Sequence, residues 1–330
     1  MIDYSVIVPA YQACEVLPWC LTALHHQTID PARYEIIIVD DGSTDDTVRV
    51  AENAMGSPPV QVVRAVHAGP AHARNLGAQA AQGDLLLFTD ADCEPASDWI
   101  EKLTQVFTQT KISGAKGVYR THQTSLVARF VQQEYQDKYD RLLTQDTIDF
   151  IDTYSAAYRR DVFLANGGFD VTFNTASVED QEFSFRLAEQ GLRLVFAPEA
   201  VVYHQHDESV REYARRKYRI GYWKALVLKQ HPGKAVRDSH TPQVIKVQMA
   251  LFAAALISSL SALFIPSGWP IAIALWWALG LTMLPLLIKI ARRDAPVLWI
   301  ALWLMLVRAI SLGLGLAIGL LRFNLLAKRS

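Results

Sequence analysis

The fold of the first half of the chain is indicated by one stretch, Gly83-Asp84-Leu85-Leu86-Leu87-Phe88-Thr89-Asp90-Ala91-Asp92-Cys93-Glu94-Pro95. Its apolar run, residues 85–88, is short and unbroken, as expected of a strand that is buried on both faces of a parallel sheet. Asp90 and Asp92 follow this strand with one small residue between them. Because positions two apart point the same way in a strand, both carboxylates are expected to converge at the carboxyl edge of the sheet, where open α/β sheets bind ligands.

The two carboxylates also predict the kind of ligand. No Cys or His is expected beside them in space, and carboxylate oxygens suit a hard cation, Mg²⁺ or Mn²⁺, that bridges phosphate oxygens. Since short motifs have many chance matches, solvated acids at the end of a strand are the alternative interpretation.

Further strands are predicted near residues 6, 37 and 62, and helices alternate with them, which predicts a Rossmann-like α/β sheet. The first strand ends in Pro9-Ala10-Tyr11, and the second ends in Asp40-Asp41, whose carboxylates point toward the same sheet edge. Turn chemistry alone also favours Asp at such positions.

A phosphate-binding position is predicted at the helix that Pro70 opens, because Arg74 lies near its positive amino-terminal end. No Gly-x-Gly-x-x-Gly follows the first strand, which disfavours a dinucleotide cofactor. A nucleotide held by strand-end acids, an aromatic ring and a metal ion fits the pattern better.

Composition excludes several classes of protein. The 330 residues indicate one large or two medium domains, at about 150 residues each. The net charge of −1 gives no indication of the basic surface that nucleic-acid-binding proteins need. Three cysteines, Cys14, Cys20 and Cys93, without metal-site spacing fit a reducing compartment. The amino terminus lacks the basic region and the long apolar core of a cleaved signal.

The chain becomes membrane-like near residue 244. Apolar segments at about 244–265, 269–288 and 297–321 are long enough to span a bilayer, and Arg308 lies near the middle of the third. Lys289, Arg292 and Arg293 between the second and third segments place the preceding globular region in the cytosol. Two topologies are compatible with the sequence: three full spans, or two spans and a last segment that is re-entrant.

A basic and aromatic helix is predicted over residues 208–229, just before the first apolar segment. Its arginines could meet the phosphates of an anionic membrane surface or close over a bound diphosphate, while its aromatic side chains anchor at the headgroup level. The alternatives are a solvated charged face, or a helix that packs beneath the sheet. The residues concerned are Arg215, Arg216, Arg219, Tyr213, Tyr218, Tyr222 and Trp223.

Four of these motifs occur in the order and spacing of one family. The chain resembles a family 2 glycosyltransferase of the GT-A fold, a Rossmann-like mixed α/β sheet flanked by helices, of the membrane-anchored type with C-terminal transmembrane helices. The matching stretches are residues 6–11, 38–45, 73–75 and 90–92. The resemblance implies a UDP- or GDP-linked nucleotide-diphosphate sugar as donor and Mg²⁺ or Mn²⁺ as cofactor.

The resemblance also assigns roles on the donor side. Tyr11 would stack on the base, Asp40 or Asp41 would hydrogen-bond it, and Arg74 would contact the base or the diphosphate. Metal or ribose binding is implied for Asp90, and metal binding for Asp92 and His204, with His206 as the competitor of His204. The full donor-binding set is Pro9, Ala10, Tyr11, Asp40, Asp41, Arg74, Asp90, Ala91 and Arg219.

On the acceptor side, the residues alone predict a glycine loop and a helix whose first acids, Glu179 and Asp180, favour its amino terminus by the helix dipole. The resemblance makes Asp180 the catalytic base and Glu179 the less favoured alternative, a task that suits a partly buried carboxylate. The loop implied to face the acceptor is Gly167, Gly168, Phe169 and Asp170.

Two departures from the family pattern narrow the prediction. Tyr154-Ser155 stands where many relatives have Gly and Asn, which bears on acceptor contacts. No Gln-x-x-Arg-Trp occurs, so the chain does not resemble processive cellulose- or hyaluronan-type synthases.

The resemblance divides the chain into a GT-A domain at 1–207, an amphipathic interfacial helix and linker at 208–243, and a transmembrane region at 244–330. It implies an inverting, metal-dependent glycosyltransferase of a bacterial-type inner or plasma membrane, with the catalytic domain in the cytosol and a hydroxyl of a lipid or lipid-linked molecule as acceptor. One alternative is transfer to a polyprenyl phosphate, but such an acceptor is already an anion and needs no base, so the acids Glu179 and Asp180 favour a hydroxyl acceptor. Another is a non-catalytic, sugar-nucleotide-binding partner in membrane assembly.

Overall fold

The computed structural model describes residues 2–109, 111–173, 178–235, 239 and 241–326. The chain forms two compact units, of which the first comprises Met1–His122 and Tyr139–Gln205, and the second Gln123–Lys138 and His206–Ser330. Residues 123–138 group with the carboxyl-terminal part of the chain, and the predicted domain boundaries at 207 and 243 stay a prediction. Long-range ion pairs, described below, hold this segment there.

The first unit is built on one mixed sheet of eight strands in the order β3-β2-β1-β4-β7-β6-β8-β5. Strands β1 to β4, predicted near residues 6, 37, 62 and 86, pair in parallel, and β7 and β5 pair antiparallel with β4 and β8. The predicted α/β class with a mixed sheet is confirmed. The strands are β1 Tyr4–Ala10, β2 Tyr34–Asp40, β3 Val60–Arg64, β4 Leu85–Phe88, β5 Cys93–Pro95, β6 Ile112–Arg120, β7 Ala156–Arg159 and β8 Arg193–His204.

The order of the strands requires the sheet to curl. Strands β4 and β5 are consecutive in the chain but lie four positions apart in the sheet. A flat sheet would separate them by about 19 Å, at about 4.8 Å per strand. The link from Phe88 to Cys93 reaches at most about 18 Å when fully extended. The curl therefore brings β8 and β5 round toward the carboxyl end of β4, where the acidic motif lies.

Among the residues described before β8, seven segments form α-helices, and the central strands of the sheet are buried on both faces. Val6, Ile7 and Val8 of β1 and all four residues of β4 are buried, as expected of strands covered on both faces. The helices are α1 Leu17–His25, α2 Thr47–Glu52, α3 Pro70–Ala80, α4 Trp99–Thr104, α5 Leu126–Leu142, α6 Arg160–Ala165 and α7 Glu179–Glu189. Helix α5 runs across the division between the two units.

The second unit contains the first part of α5 and four later helices, which are α8 Val210–Gln230, α9 Gln243–Ala262, α10 Trp269–Arg293 and α11 Leu298–Leu320. Among the described residues, three stretches are long and apolar enough to cross a membrane, Gln243–Ala262, Pro266–Arg293 and Ala295–Phe323. Helix α11 is continuous over its 23 residues.

Charged side chains tie α5 to the apolar helices. Arg129 of α5 pairs with Asp294 just after α10, and Asp137 of α5 lies 2.6 Å from Lys289 Nζ. Glu134 of α5 accepts a hydrogen bond of 2.5 Å from Arg308 Nη1 of α11. These ion pairs place residues 123–138 in the second unit, since an uncompensated charge beside apolar helices is costly.

Candidate active site

An exposed aromatic side chain follows β1. Pro9 and Ala10 are the last residues of this strand, and the ring of Tyr11 is half-exposed and stacks on His67 with 4.2 Å between the ring centroids. Gln12 has a φ of 50°, and its side-chain Nε2 donates to Thr44 Oγ1 at 2.8 Å. The sequence pattern gave no signal for the role of Gln12, which holds the loop after β1 against the loop after β2.

The acids at the end of β2 are buried and accept hydrogen bonds from backbone N–H groups. Asp41 accepts hydrogen bonds of 2.9 Å from the backbone N–H groups of Ala68 and Gly69, and His67 Nδ1 lies 2.9 Å from its Oδ2. Asp40 accepts from the N–H of Ser43 at 3.2 Å. These carboxylates therefore fix the loop that leads into α3, and their contact with a nucleotide base stays a prediction.

Arg74 of α3 connects the two predicted sides of the site. Its guanidinium is 3 % exposed; Nη2 donates to Asp90 Oδ1 at 2.6 Å and Nη1 to Glu179 Oε1 at 2.9 Å. Burial works to lower the pKa of Arg74, but the charges of the two carboxylates outweigh it and raise the pKa. Arg74 thus joins the acid after β4 to the first residue of α7.

Asp90 and Asp92 have different side-chain partners, and their convergence on one ligand stays a prediction. Both residues lie in the turn after β4, where the N–H of Cys93 donates to the carbonyl of Asp90 at 3.0 Å, so strand alternation does not apply to them. Asp90 turns to Arg74, whereas Asp92 Oδ2 lies 3.2 Å from His204 Nε2 at the end of β8. Ala91 between them is buried.

The expectation that no Cys or His lies beside the carboxylates is wrong, whereas Asp92 and His204, both predicted from the resemblance as metal ligands, do lie together. Among the described residues, Asp92, Cys93 and His204 form a group whose possible donor atoms all lie within 4.8 Å of one another. The curl of the sheet produces this group, because β5 and β8 meet at its far edge. Asp90 lies outside the group, and His206 belongs to the second unit, where its Nε2 lies 3.1 Å from Gln132 Oε1.

The group suits a divalent cation. The Asp92 side chain is 46 % exposed and that of His204 is 15 % exposed, so an ion could reach both. Burial works to raise the pKa of Asp92, but the hydrogen bond and charge of His204 outweigh it and lower the pKa. Burial, with the charges of Asp92 and Asp90, raises the pKa of the Cys93 thiol well above its usual value.

The predicted acceptor-side loop is clamped by Asn75, one residue after Arg74. Asn75 Nδ2 donates to the Phe169 carbonyl at 2.8 Å, and its Oδ1 accepts from the Phe169 N–H at 2.9 Å. Gly167 and Gly168 have φ values of 75° and 66°, which explains the double glycine. Asp170 Oδ1 accepts from the N–H of Thr172 at 2.8 Å, which closes a turn after the buried Phe169 ring.

The two acids that begin α7 have different surroundings. Glu179 is buried in its ion pair with Arg74, whereas Asp180 is partly exposed and its Oδ1 accepts from the N–H of Gln181 at 2.7 Å. Of these two, Asp180 is the one that a bound molecule could reach. Both acids lie in the first turn of α7, where the helix dipole favours them, but Glu179 also forms an ion pair and Asp180 is also partly open to solvent.

Comparison with known families settles the class of the chain. The model of glycosyl transferase family 2 matches residues 5–165, and that of glycosyl transferase family group 2 matches residues 90–312, about two thirds of the chain. The chain belongs to glycosyltransferase family 2. The matched residues include every strand of the sheet, so family membership rests on the same elements that carry the site.

Several curated proteins that are similar to this chain are named as glycosyltransferases. A pre-mycofactocin glycosyltransferase of Mycobacterium tuberculosis is 27 % identical over 240 residues, which cover 70 % of this chain and 49 % of that protein. The glycosyltransferase AglE of Haloferax volcanii is 26 % identical over 66 % of this chain and 71 % of its own length. The O-antigen chain rhamnosyltransferase RfbN of Salmonella typhimurium is 28 % identical over 67 % and 72 %. The chain thus spans about half the length of the first relative.

A solved structure supports the GT-A fold. The mannosyltransferase PcManGT from Pyrobaculum calidifontis superposes with a TM-score of 0.61 and 21 % identity, covering 98 % of this chain and 88 % of that one. The coverage extends over the apolar helices of the second unit as well as the sheet. The GT-A fold is confirmed, and the three apolar helices fit a C-terminal membrane anchor.

Of three further residues named from the sequence, one belongs to the second unit and two lie in the core of the first. Arg219 belongs to α8 in the second unit and is exposed. Tyr154 is buried, with its hydroxyl donating to Asp152 Oδ2 at 2.9 Å, and Ser155 Oγ accepts from Trp99 Nε1 at 2.8 Å. The Tyr-Ser pair therefore belongs to the core of the first unit.

Proposed function

We propose that the chain transfers a sugar from a nucleotide-diphosphate donor to a hydroxyl of a lipid or lipid-linked acceptor, with inversion at the anomeric carbon. The observation that carries this proposal is the position of Arg74, which joins Asp90 on the donor side to Glu179 beside Asp180 on the acceptor side. Both sides of a transfer reaction are thereby held by one buried cation.

The donor would lie along the carboxyl edge of the sheet. The exposed ring of Tyr11 offers a stacking surface for a nucleotide base, and the loops beside it are held by buried hydrogen bonds. PcManGT was solved with GDP-Man and Mn²⁺, which supports a nucleotide sugar as the donor class.

A divalent cation, Mg²⁺ or Mn²⁺, held by Asp92 and His204 would neutralise charge on the departing nucleoside diphosphate. The half-exposed carboxylate of Asp92 and the adjacent imidazole supply oxygen and nitrogen donors for it. Asp90, bound to Arg74, would contribute charge rather than a direct bond.

Asp180 would act as the general base. Its carboxylate would take the proton of the acceptor hydroxyl as that oxygen attacks the anomeric carbon from the face opposite the leaving group. Glu179 forms an ion pair with Arg74 and so would orient α7 rather than accept the proton. An acceptor that is already an anion, such as a polyprenyl phosphate, would have no proton for Asp180 to remove.

The acceptor is proposed to be lipid-linked because the second unit combines three potential spans with an exposed basic stripe. Arg211, Arg215 and Arg219 are exposed and recur every four residues of α8, so they lie along one side of the helix. Two residues predicted for this role lie elsewhere: Arg216 Nε is 2.8 Å from Asp207 Oδ2, and Tyr213 is fully buried. The stripe would meet lipid phosphates at the cytosolic face, each worth about 1 kcal/mol near an anionic surface.

The proposal is tested with the full chain in lipid nanodiscs, incubated with a panel of UDP- and GDP-sugars and a membrane lipid extract. Mass spectrometry is expected to find one glycosylated lipid, and proton NMR of that product an anomeric configuration opposite to the donor's. Asp180→Asn is expected to lower kcat by about 10²- to 10⁴-fold, the usual contribution of a general base.

Asp161→Asn is the matched control, because this exposed acid of α6 only accepts from the N–H of the next residue. It should retain wild-type activity. Full activity of both Asp92→Ala and Asp180→Asn, each with a wild-type circular dichroism spectrum, would overturn the proposal. A product whose sugar is bonded to a phosphate would replace the hydroxyl acceptor by the polyprenyl-phosphate alternative.

A further inference from the structure

We infer that Asp92, Cys93 and His204 form a Zn²⁺-binding site of one carboxylate, one thiolate and one imidazole. The affinity for zinc rests on these three side chains alone. Its consequence for sugar transfer rests on the proposed function, because Asp92 and His204 are also the residues proposed to hold Mg²⁺ or Mn²⁺.

The register of the sheet places the three donors together. Cys93 and His204 are directly opposite each other in the antiparallel pair of β5 and β8, so their side chains lie on the same face of the sheet. Asp92 immediately precedes β5 and reaches His204 from the adjoining turn. The ring of Tyr119 stacks on the imidazole with 4.7 Å between the ring centroids and limits its rotation.

The separations of the donor atoms fit a tetrahedral ion. Zinc–ligand distances of about 2.0–2.3 Å imply about 3.4 Å between oxygen and nitrogen donors and about 3.6 Å between oxygen and sulfur donors. The structure has 3.2 Å between Asp92 Oδ2 and His204 Nε2, and 3.9 Å between Asp92 Oδ1 and Cys93 Sγ. These distances involve the two different oxygens of Asp92, and one donor atom from each residue lies within 4.8 Å of the others, so side-chain rotations would bring the three donors onto one ion.

The donor set favours zinc over manganese and magnesium. Thiolate and imidazole are soft or borderline ligands, and the affinity of such sites rises from Mn²⁺ toward Zn²⁺, whereas Mg²⁺ prefers oxygen donors. Binding would replace the thiol proton of Cys93 by the metal ion and release that proton to solvent, so no oxidant or reductant is needed.

Zinc would compete with the activating cation. A four-coordinate ion with three protein donors has one open position. An ion that prefers six ligands, such as Mg²⁺, would take two from Asp92 and His204 and leave several positions for phosphate oxygens. Zinc in this site is therefore an inhibitor that an excess of Mn²⁺ reverses.

The test uses the purified full chain in detergent micelles with Co²⁺ as a spectroscopic substitute for zinc. A cobalt–thiolate bond has an ultraviolet charge-transfer absorption, which should grow to one equivalent of Co²⁺ and disappear when Zn²⁺ is added. Cys93→Ser should abolish this absorption and weaken the zinc affinity about tenfold or more, since the thiolate is lost. Manganese affinity, followed by electron paramagnetic resonance, should change less than threefold.

Cys20→Ser is the matched control, because Cys20 is equally buried and donates only to the carbonyl of Asp90 at 3.6 Å. This variant should keep the absorption. Absence of the absorption in the wild type, or its persistence in Cys93→Ser, would overturn the inference. Because the readout needs no sugar donor, a chain that shows the absorption but transfers no sugar would contradict only the proposed function.

Discussion

At the scale of single residues, Arg74 determines the arrangement of the candidate site. The guanidinium is buried between Asp90 and Glu179, so it compensates two carboxylates rather than lying open to a phosphate. Breaking a buried ion pair by removing one partner costs about 3–5 kcal/mol, whereas an exposed pair contributes about 0–1 kcal/mol. Burial thus decides which arginine matters for stability.

Arg74→Met is expected to lower the free energy of unfolding by about 3–5 kcal/mol and to abolish sugar transfer, because two carboxylates lose their common counter-ion. Urea unfolding followed by tryptophan fluorescence measures the first effect. Arg49→Met is the matched control, since the pair of Arg49 with Asp46 is mostly exposed and its loss should leave the free energy of unfolding nearly unchanged. Equal losses in the two variants would contradict this assignment.

At the scale of elements, α8 and α11 of the second unit pack at backbone distance. A side chain at Gly315 or Gly319 of α11 would collide with the carbonyl of Tyr218 or Tyr222 on α8. Small residues four positions apart on one face permit this approach, as in membrane helix pairs. The approach of α8 accounts for the burial of Gly315 and Gly319, whereas other buried residues of α11, such as Leu304 and Met305, pack in a core cluster that includes residues of α5 and α10.

Gly315→Ala is expected to destabilise the second unit by about 1–3 kcal/mol, because the added methyl group has no space beside a backbone carbonyl. Gly313→Ala is the control on the same helix, where nothing lies within 4 Å of the added atom. It should be neutral or stabilising by up to about 1 kcal/mol, since alanine favours helix. Thermal unfolding of both variants in micelles tests the packing, and an unchanged melting temperature for Gly315→Ala would refute it.

At the scale of the whole molecule, the open question is where the end of α11 lies. Glu134 of α5 and Lys217 of α8 meet at 2.9 Å, and Glu134 also binds Arg308 of α11. Further along, the carbonyl of Phe323 accepts from Lys229 Nζ at 2.8 Å. The second half of α11 thus runs beside a helix rich in Arg and Lys, which the lipid interior would exclude. These contacts lead us to predict a cytosolic end for α11, which as a continuous helix would then lie along the membrane surface rather than loop back within the bilayer.

Cysteine accessibility tests this orientation in intact cells, on a Cys14→Ser background that removes the half-exposed native thiol. Ser267→Cys, in the turn between α9 and α10, is expected to react with a membrane-impermeant maleimide. Ala295→Cys and Leu320→Cys are expected to react only after permeabilisation, since the positive-inside rule places the basic end of α10 in the cytosol. Labelling of Leu320→Cys from outside would instead establish three full spans.

The sequence by itself determined the features that depend on local pattern. The parallel strands near residues 6, 37, 62 and 86, the double-glycine loop and the apolar helices follow from short-range apolar period and turn chemistry. The order of four motifs was enough to identify the family. Each strand, turn, helix and motif is a pattern of consecutive residues, so no contact between distant residues was needed to interpret it.

Only the tertiary structure decided which side chains meet. Arg74 and Glu179 are 105 positions apart, and Asp92 meets His204 only because the sheet curls to bring β8 and β5 round to β4. The sequence suggested that Asp90 and Asp92 converge, and a turn sends them to different partners. The grouping of α5 with the apolar helices could not be predicted either, because an ion pair between residues far apart in the sequence leaves no periodic pattern in the sequence.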